Sequence, residues 1–124
     1  MPFRQRKGLW GVINENYVKM IDAVIGWIVT LEELERTGEQ IYNLERAFNC
    51  REAVSRKDDA LPYRTSQQVI PEGPCKGMST PPDEFKEMLE EYYRLRGWDS
   101  NGIPTGKKLM ALGLPEAARD LCPK

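Results

Sequence analysis

Thr30-Leu31-Glu32-Glu33-Leu34-Glu35-Arg36-Thr37-Gly38-Glu39-Gln40-Ile41-Tyr42-Asn43-Leu44-Glu45-Arg46-Ala47-Phe48-Asn49-Cys50-Arg51-Glu52-Ala53 is the stretch on which the fold turns. It opens on a capping box: the Thr30 hydroxyl can accept from the Glu33 amide while the Glu33 carboxylate accepts from the Thr30 amide. Behind the box, Leu34, Ile41 and Phe48 recur every seven residues, with Leu31 and Leu44 between them. That is an apolar stripe on one side of a helix, predicted from about Leu31 to about Ala53. Gly38 lies on the same stripe, where it costs ~1 kcal/mol relative to alanine. Its expected use is to let another backbone come close, with a kink as the alternative.

The same logic extends in both directions. Upstream, Tyr17, Met20, Ile21, Val24 and Ile25 form a second helical stripe, with Asn14 or Asn16 as its cap and Gly26 as its stop. Residues 1–13 have no period and are expected to be irregular. Downstream, Pro81-Pro82-Asp83 begins another helix, with Thr80 as a candidate cap and proline suited to the first turn. Phe85, Met88, Leu89, Tyr92 and Leu95 are its expected buried stripe, and Gly97-Trp98 its end, with Trp98 set to cover Tyr92 or Tyr93. Asp99-Ser100-Asn101-Gly102 is turn chemistry. A short helix over Thr105–Leu112 stops at Gly113-Leu114-Pro115, and Pro115–Leu121 adds a final turn or two. No segment alternates as a strand does. The class is therefore all-α, with four to five helices in one domain over 14–124.

Residues 54–82 break the pattern. Five of the nine prolines fall here: Pro62, Pro71, Pro74, Pro81 and Pro82. Structureless connections beyond ~12–15 residues are uncommon in compact domains. Leu61, Tyr63, Val69, Ile70 and Met78 are nevertheless apolar, so the segment reads as an irregular arm laid across another surface.

Composition excludes much chemistry. The 124 residues hold 18 Lys+Arg, 19 Asp+Glu, 3 Cys and no His, for a net charge of −1. Without histidine, Ser-His-Asp and Cys-His catalysis and imidazole metal sites are closed to this chain alone. Cys50, Cys75 and Cys122 make no Cys-x-x-Cys pair and read as reduced thiols. The balanced charge gives no broad nucleic-acid footprint, and Arg4, Arg6 and Lys7 read as a solvated terminus. No apolar run is long enough to span a membrane. The start lacks the apolar stretch of a secretion signal, so a cytoplasmic location is expected. Neither glycine-rich nucleotide fingerprint occurs.

Among the carboxylates, Asp58-Asp59 stands out, flanked by Arg51, Arg56, Lys57 and Arg64. Paired acids can share a proton or hold a cation when buried; a charged loop in water is the plainer reading, because adjacent side chains usually point apart. Glu32-Glu33 and Glu90-Glu91 belong to solvated helix faces. The tryptophans and tyrosines read as packing residues.

Longer phrases carry a resemblance. They are the stretch Gly38–Glu52, then Asp58-Asp59-Ala60-Leu61-Pro62-Tyr63-Arg64, Gly73-Pro74-Cys75-Lys76-Gly77, Met88–Asp99, Gly102-Ile103-Pro104-Thr105 and Leu109–Leu114. In order and spacing they resemble the C-terminal region of the tungsten-containing aldehyde ferredoxin oxidoreductases, over roughly residues 10 to 115. The resemblance implies a parent enzyme that oxidises aldehydes to carboxylic acids and passes electrons to ferredoxin. It also implies a tungsten bis-pyranopterin and a 4Fe-4S cluster held by polypeptide outside this chain, whose cysteine group precedes the matched region. This chain is then expected to bind no cofactor, to be inactive alone, and to wall the substrate channel. Arg46, Arg51, Asp58, Asp59 and Arg64 become candidates for the interdomain interface, with ion pairs inside the domain as the competing role. The implied partners are the remaining enzyme domains and, through them, ferredoxin; the isolated chain is a candidate homodimer, and no nucleic acid or membrane is implied. A free-standing module docking on a separate catalytic subunit, and a related tungsten enzyme acting on aromatic thioesters, are the alternatives. One departure lies inside the match. Relatives read Arg-Glu-Gly where this chain has Arg51-Glu52-Ala53, so the helix is expected to run slightly longer here if that glycine has a positive φ.

Overall fold

A computed structural model describes residues 14–121; the expectations for residues 1–13, for the Arg4–Lys7 cluster and for Cys122 lie outside them. Six α-helices occur among the described residues: α1 (Glu15–Ile25), α2 (Leu31–Arg51), α3 (Tyr63–Gln67), α4 (Pro82–Arg96), α5 (Gly106–Ala111) and α6 (Pro115–Leu121). The described residues contain no strand, only an isolated bridge between Trp98 and Pro104. The all-α expectation holds. The count exceeds four to five because the arm carries the five-residue α3, beside a single 3-10 turn over Arg56–Asp58.

The chain divides into two compact units, one reaching Tyr42 and the other starting at Asn43. In the first, local chemistry sets the helix boundaries. Asn14 Oδ1 accepts from the Asn16 amide at 2.9 Å, and Gly26 ends α1 in the left-handed region. The capping box forms in both directions, Glu33 N to Thr30 Oγ1 at 3.2 Å and Thr30 N to Glu33 Oε2 at 2.8 Å. Its apolar stripe is not a core, however: Tyr17, Met20, Val24 and Ile25 are all exposed.

The second unit is built around the loop that follows α4. Its buried side chains are Ala47 from α2, Tyr93 from α4, Trp98 and Pro104 from that loop, Leu109 and Leu112 from the α5 region, and Ala118 from α6. Leu114, Ala117 and Leu121 close around Ala47, Leu109 and Ala118. From Asn43 onward, α2 turns inward the face opposite to the one its large apolar residues predict. Asn43 and Ala47 are buried and Arg46 and Cys50 half-buried, while Leu44 and Phe48 are about half exposed. Small Ala47 admits Leu109 and Ala118 against the helix, which Phe48 could not do. On α4, Met88 and Leu95 are exposed rather than buried. The inward positions are Phe85, Leu89, Tyr92, Tyr93 and Arg96, because the helix is rotated to bring Tyr93 inside. Its N-cap is Pro81, with Pro82 in the first turn, one residue later than the expected Thr80.

The end of α2 corrects a further expectation. The helix does not run on to Ala53; it stops at Arg51, and Ala53 takes φ +70°. The Val54 amide donates to the Asn49 carbonyl and the Ala53 amide to the Cys50 carbonyl, both at 3.0 Å. That pair of bonds is the Schellman ending, whose left-handed position favours glycine. The two bonds and the packing of the following residues hold an alanine in a conformation that strains its Cβ. Ala53→Gly should therefore stabilise the chain by about 1 kcal/mol and raise Tm by about 4 °C. An unchanged or lowered Tm in a thermal melt would contradict this account of the helix end.

Candidate functional site

The Arg46 guanidinium is the hub where three elements meet. Projected inward by α2, it donates through Nη1 to Asp59 Oδ1 at 2.8 Å and through Nη2 to Asp59 Oδ2 at 2.5 Å. Its Nε donates to the Gly102 carbonyl at 2.8 Å, and the group lies 4.9 Å from the centre of the Trp98 ring. Tyr93, from α4, donates its hydroxyl to Asp59 Oδ2. Trp98 Nε1 donates to Asn43 Oδ1 at 2.8 Å. Trp98 stacks edge-on to Tyr92 at 5.6 Å and tilted to Tyr93 at 5.8 Å, so it covers both of the tyrosines offered to it.

The loop carrying Gly102 is shaped by its own first residue. Asp99 Oδ1 accepts from the Asn101 and Ile103 amides at 2.8 and 3.0 Å. Gly102 then sits at φ +74°, where a Cβ would lie 2.5 Å from Arg46 Nη2 and 2.8 Å from Tyr93 Cζ. Only glycine leaves room for both partners.

Bidentate Arg–carboxylate pairing is among the stronger hydrogen-bonding arrangements, and here it is shielded, the side chains of Arg46 and Asp59 being 10% and 23% exposed. Burial works to raise the Asp59 pKa, but the bonds from Arg46 and Tyr93 outweigh it and hold the carboxyl below its usual range. Burial pushes the Tyr93 phenol well up, and the adjacent Asp59 carboxylate adds to the rise. Burial also disfavours the Arg46 cation, yet Asp59 more than offsets it. Burial raises the Cys50 thiol, which lies 3.8 Å from the Gly102 carbonyl. Every polar atom of the Arg46–Asp59 pair is engaged. The cluster is a lock, with no proton to give to a substrate.

Linkage gives the lock a pH window. A carboxyl with a depressed folded-state pKa stabilises the fold above its unfolded value of ~3.9, and that contribution is lost as pH falls through the folded value. A phenol with a raised pKa stabilises below its unfolded value of ~10 and loses that contribution as pH rises further. The raised Cys50 thiol starts its own loss above the unfolded value of ~8.5, so thermal melts should give a plateau between about pH 4 and about pH 8.5, with a shallow fall above it that steepens beyond about pH 10 and an acid fall below it. Tyr93→Phe should make the alkaline fall shallower, leaving the part due to the raised Cys50 thiol, and keep the acid one; a parent curve flat through pH 11 would contradict the assignment.

The five residues offered by the sequence separate. Arg46 and Asp59 meet in the lock. Asp58 points away from it and caps its own turn, Oδ2 accepting from the Ser55 amide at 2.9 Å. Arg51 is half exposed, pairing with Glu52 at 3.3 Å and lying 4.9 Å from the Phe48 ring centre. Arg64 is exposed on the arm, beside a groove of 800 Å³ whose walls include Val69, Ile70 and Met78. Sequence reasoning missed Tyr93, Gly102 and Asn43 as partners in the lock. The one local signal was Asn43, a polar residue set among apolar ones in mid-helix. Arg56 was missed as well: its amide donates to the Asn101 carbonyl at 2.9 Å, and its guanidinium reaches Glu90 at 3.1 Å and the Ser100 carbonyl at 3.2 Å.

Among the described residues no three His, Cys, Asp or Glu side chains gather as a metal site. Cys50 is half-buried against a carbonyl, and Cys75 is exposed on the arm.

Comparison with known proteins gives a consistent picture. Residues 8–114 match the family described as aldehyde ferredoxin oxidoreductase, domains 2 and 3. The chain is 39% identical over 108 residues to a tungsten-containing aldehyde ferredoxin oxidoreductase of Pyrococcus furiosus, and 40% identical over 108 residues to that of Pyrococcus abyssi. Each match covers 86% of this chain but 17% of the relative, so the chain spans about a sixth of their length. Among solved structures it is similar to a chain of the active-site complex BamBC of benzoyl coenzyme A reductase in complex with 1,5-dienoyl-CoA. That likeness has a TM-score of 0.66 and 32% identity, covering 85% of this chain and 14% of the other.

Proposed function

Because the chain belongs to the aldehyde ferredoxin oxidoreductase family, we propose that it is the helical C-terminal part of a tungsten-containing, iron–sulfur oxidoreductase of the cytoplasm. That enzyme oxidises aldehydes to carboxylic acids and passes the electrons to ferredoxin. The part represented here holds no cofactor. It buttresses the remaining domains and walls the substrate channel, with the Arg46–Asp59–Tyr93 lock fixing the relative placement of α2, α4 and the root of the arm.

The observation that carries this reading is the exposure of the large apolar residues of α2 and α4. Leu44, Phe48, Met88 and Leu95 are each at least half exposed, while the inward faces are satisfied by Asn43, Arg46, Ala47 and Tyr93. Leu44 and Phe48 lie one turn apart on α2, and Met88 and Leu95 two turns apart on α4, so each helix presents an apolar face that a protein partner covers better than water. The remaining domains of the parent enzyme would supply it, and a second copy of the chain would do so in isolation. Of the five interface candidates, Arg64 is the one best suited to reach another domain, since its side chain makes no hydrogen bond or ion pair among the described residues.

A second reading is favoured by the likeness to benzoyl coenzyme A reductase. The same helical part could serve an enzyme acting on aromatic thioesters, or dock as a module on a separate catalytic subunit. In all of these readings the redox centre lies outside the chain. Elemental analysis of the purified 124-residue protein should find neither tungsten nor iron at stoichiometric level, and either metal at one equivalent would overturn the proposal.

A further inference from the structure

We propose that the arm is two mechanical parts, a root over 54–59 that stays locked to the fold and a strap over 61–80 that opens and closes as one unit on hinges at Ala60 and Pro81. The root is tied to three other elements. Its Val54 amide reaches the Asn49 carbonyl of α2 at 3.0 Å and its Arg56 amide the Asn101 carbonyl at 2.9 Å. The Asp59 carboxylate is held by Arg46 and Tyr93, and the Arg56 guanidinium by Glu90 and Ser100. Val54, Ser55, Arg56 and Asp59 are all half-buried.

The bonding changes character at Ala60. Backbone bonds beyond it close within 62–80: Thr65 and Ser66 donate to Pro62, Gln68 to Arg64, Lys76 to Gly73, Met78 to Cys75 and Thr80 to Thr65. Ile70 donates to the Met78 carbonyl at 2.9 Å, and Gly77 donates to the Ile70 carbonyl at 2.8 Å. These two bonds tie the loop into a closed ring. The two side-chain bonds of the strap, from the Ser66 hydroxyl to Pro62 and Tyr63, are internal as well. Among the described residues, no hydrogen bond or ion pair joins the strap to α2, α4 or the loop after α4. Its residues are exposed throughout except Leu61, Ser66 and Thr80.

A segment with internal bonds and few buried contacts opens at a free energy below that of the global fold. Because its bonds are its own, the strap can move intact. The face bearing Arg64, Val69, Ile70 and Met78 thus changes position without disturbing the bonds among Arg46, Asp59 and Tyr93. The inference stands on the bonding of the arm and holds whichever enzyme the chain serves.

Limited trypsin digestion of the full chain tests it, since the strap holds Arg64 and Lys76 and the root holds Arg56 and Lys57. The first cuts should follow Arg64 and Lys76, with cleavage after Arg56 and Lys57 at least about tenfold slower. Asp59→Asn should speed the root cuts and leave the strap cuts unchanged. Equal rates at all four sites in the parent chain, or an Asp59→Asn effect that speeds all four together, would show that the arm opens as a single piece and overturn the proposal. Hydrogen exchange on the unmodified chain decides the question even if that variant fails to fold. The Ile70, Gly77 and Met78 amides should exchange together and at least about tenfold faster than those of Arg56 and Asp59, and equal protection in the two groups would refute the division.

Discussion

Gly102→Ala should cost the fold about 3 kcal/mol or more, the largest effect expected of any single methyl group in this chain. Two terms add. An alanine held in the left-handed region is strained by ~1 kcal/mol or more, and a methyl forced into a filled space costs a further ~1–3 kcal/mol. The second term falls at its high end because neither neighbour can yield. Arg46 Nη2, 2.5 Å from the added Cβ, is pinned by Asp59, and Arg46 Nε by Gly102 itself. The Tyr93 ring, 2.8 Å away, is pinned by its hydroxyl bond to the same carboxylate. Urea unfolding followed by circular dichroism would measure the loss. A change below about 1 kcal/mol would mean that the loop relaxes and that the close approach does not define the lock.

Arg46→Met should cost about 2–3 kcal/mol. Removing one partner of a fully buried ion pair typically costs ~3–5 kcal/mol, because the other charge is left uncompensated. The partial exposure of Asp59 lowers that figure, while the loss of a donor to the Gly102 carbonyl adds to it. Methionine preserves most of the stem volume over Trp98, so the effect reports on charge and hydrogen bonding more than on packing. Arg51→Met is the internal comparison. Its pair with Glu52 is more than half exposed on both sides, and such pairs are worth ~0–1 kcal/mol. Equal losses for the two substitutions would contradict the special standing given to Arg46. Combining Arg46→Met with Asp59→Asn in a double-mutant cycle should give a coupling above about 1 kcal/mol, as expected for residues in direct contact.

What could be read from the sequence was the local chemistry. Thr30 and Glu33 form their box and Asn14 caps α1, because each needs only residues within one helical turn. Gly26, Gly97 and Gly113 end helices for the same reason. What could not be read was which face of a helix this chain buries. Leu44 and Phe48 look like core by size and spacing, yet one helix can turn one face to its own chain and leave another for a different contact. The sequence does not say which one is satisfied inside the chain. Asn43 and Ala47, polar and small, are poor core markers on their own. They became the inward face through Trp98 and Leu109, more than fifty residues away.

The adjacent carboxylates teach a related lesson. Asp58 and Asp59 are indistinguishable by type and place, but consecutive side chains leave the backbone in different directions. One caps its own turn and the other completes a lock assembled from three elements. Ala53 shows the opposite case. The resemblance flagged the position, and the strain of a left-handed alanine suggested a longer helix; the chain instead accepts that strain, with the helix closed by the Ala53 and Val54 amides on the carbonyls of Cys50 and Asn49.

The account rests on the chain being a cofactor-free helical part that completes a redox enzyme through its apolar faces and its lock. The direct measurement is a chimera in which this chain replaces the 108 residues it matches in the Pyrococcus furiosus aldehyde ferredoxin oxidoreductase, assayed for bound tungsten and for aldehyde oxidation. The account predicts that the chimera retains its tungsten and oxidises aldehydes, and that Gly102→Ala within it lowers Tm and leaves the metal content per folded molecule unchanged. A folded chimera that has lost tungsten, or that binds tungsten only while Cys50 and Cys75 are intact, would contradict it.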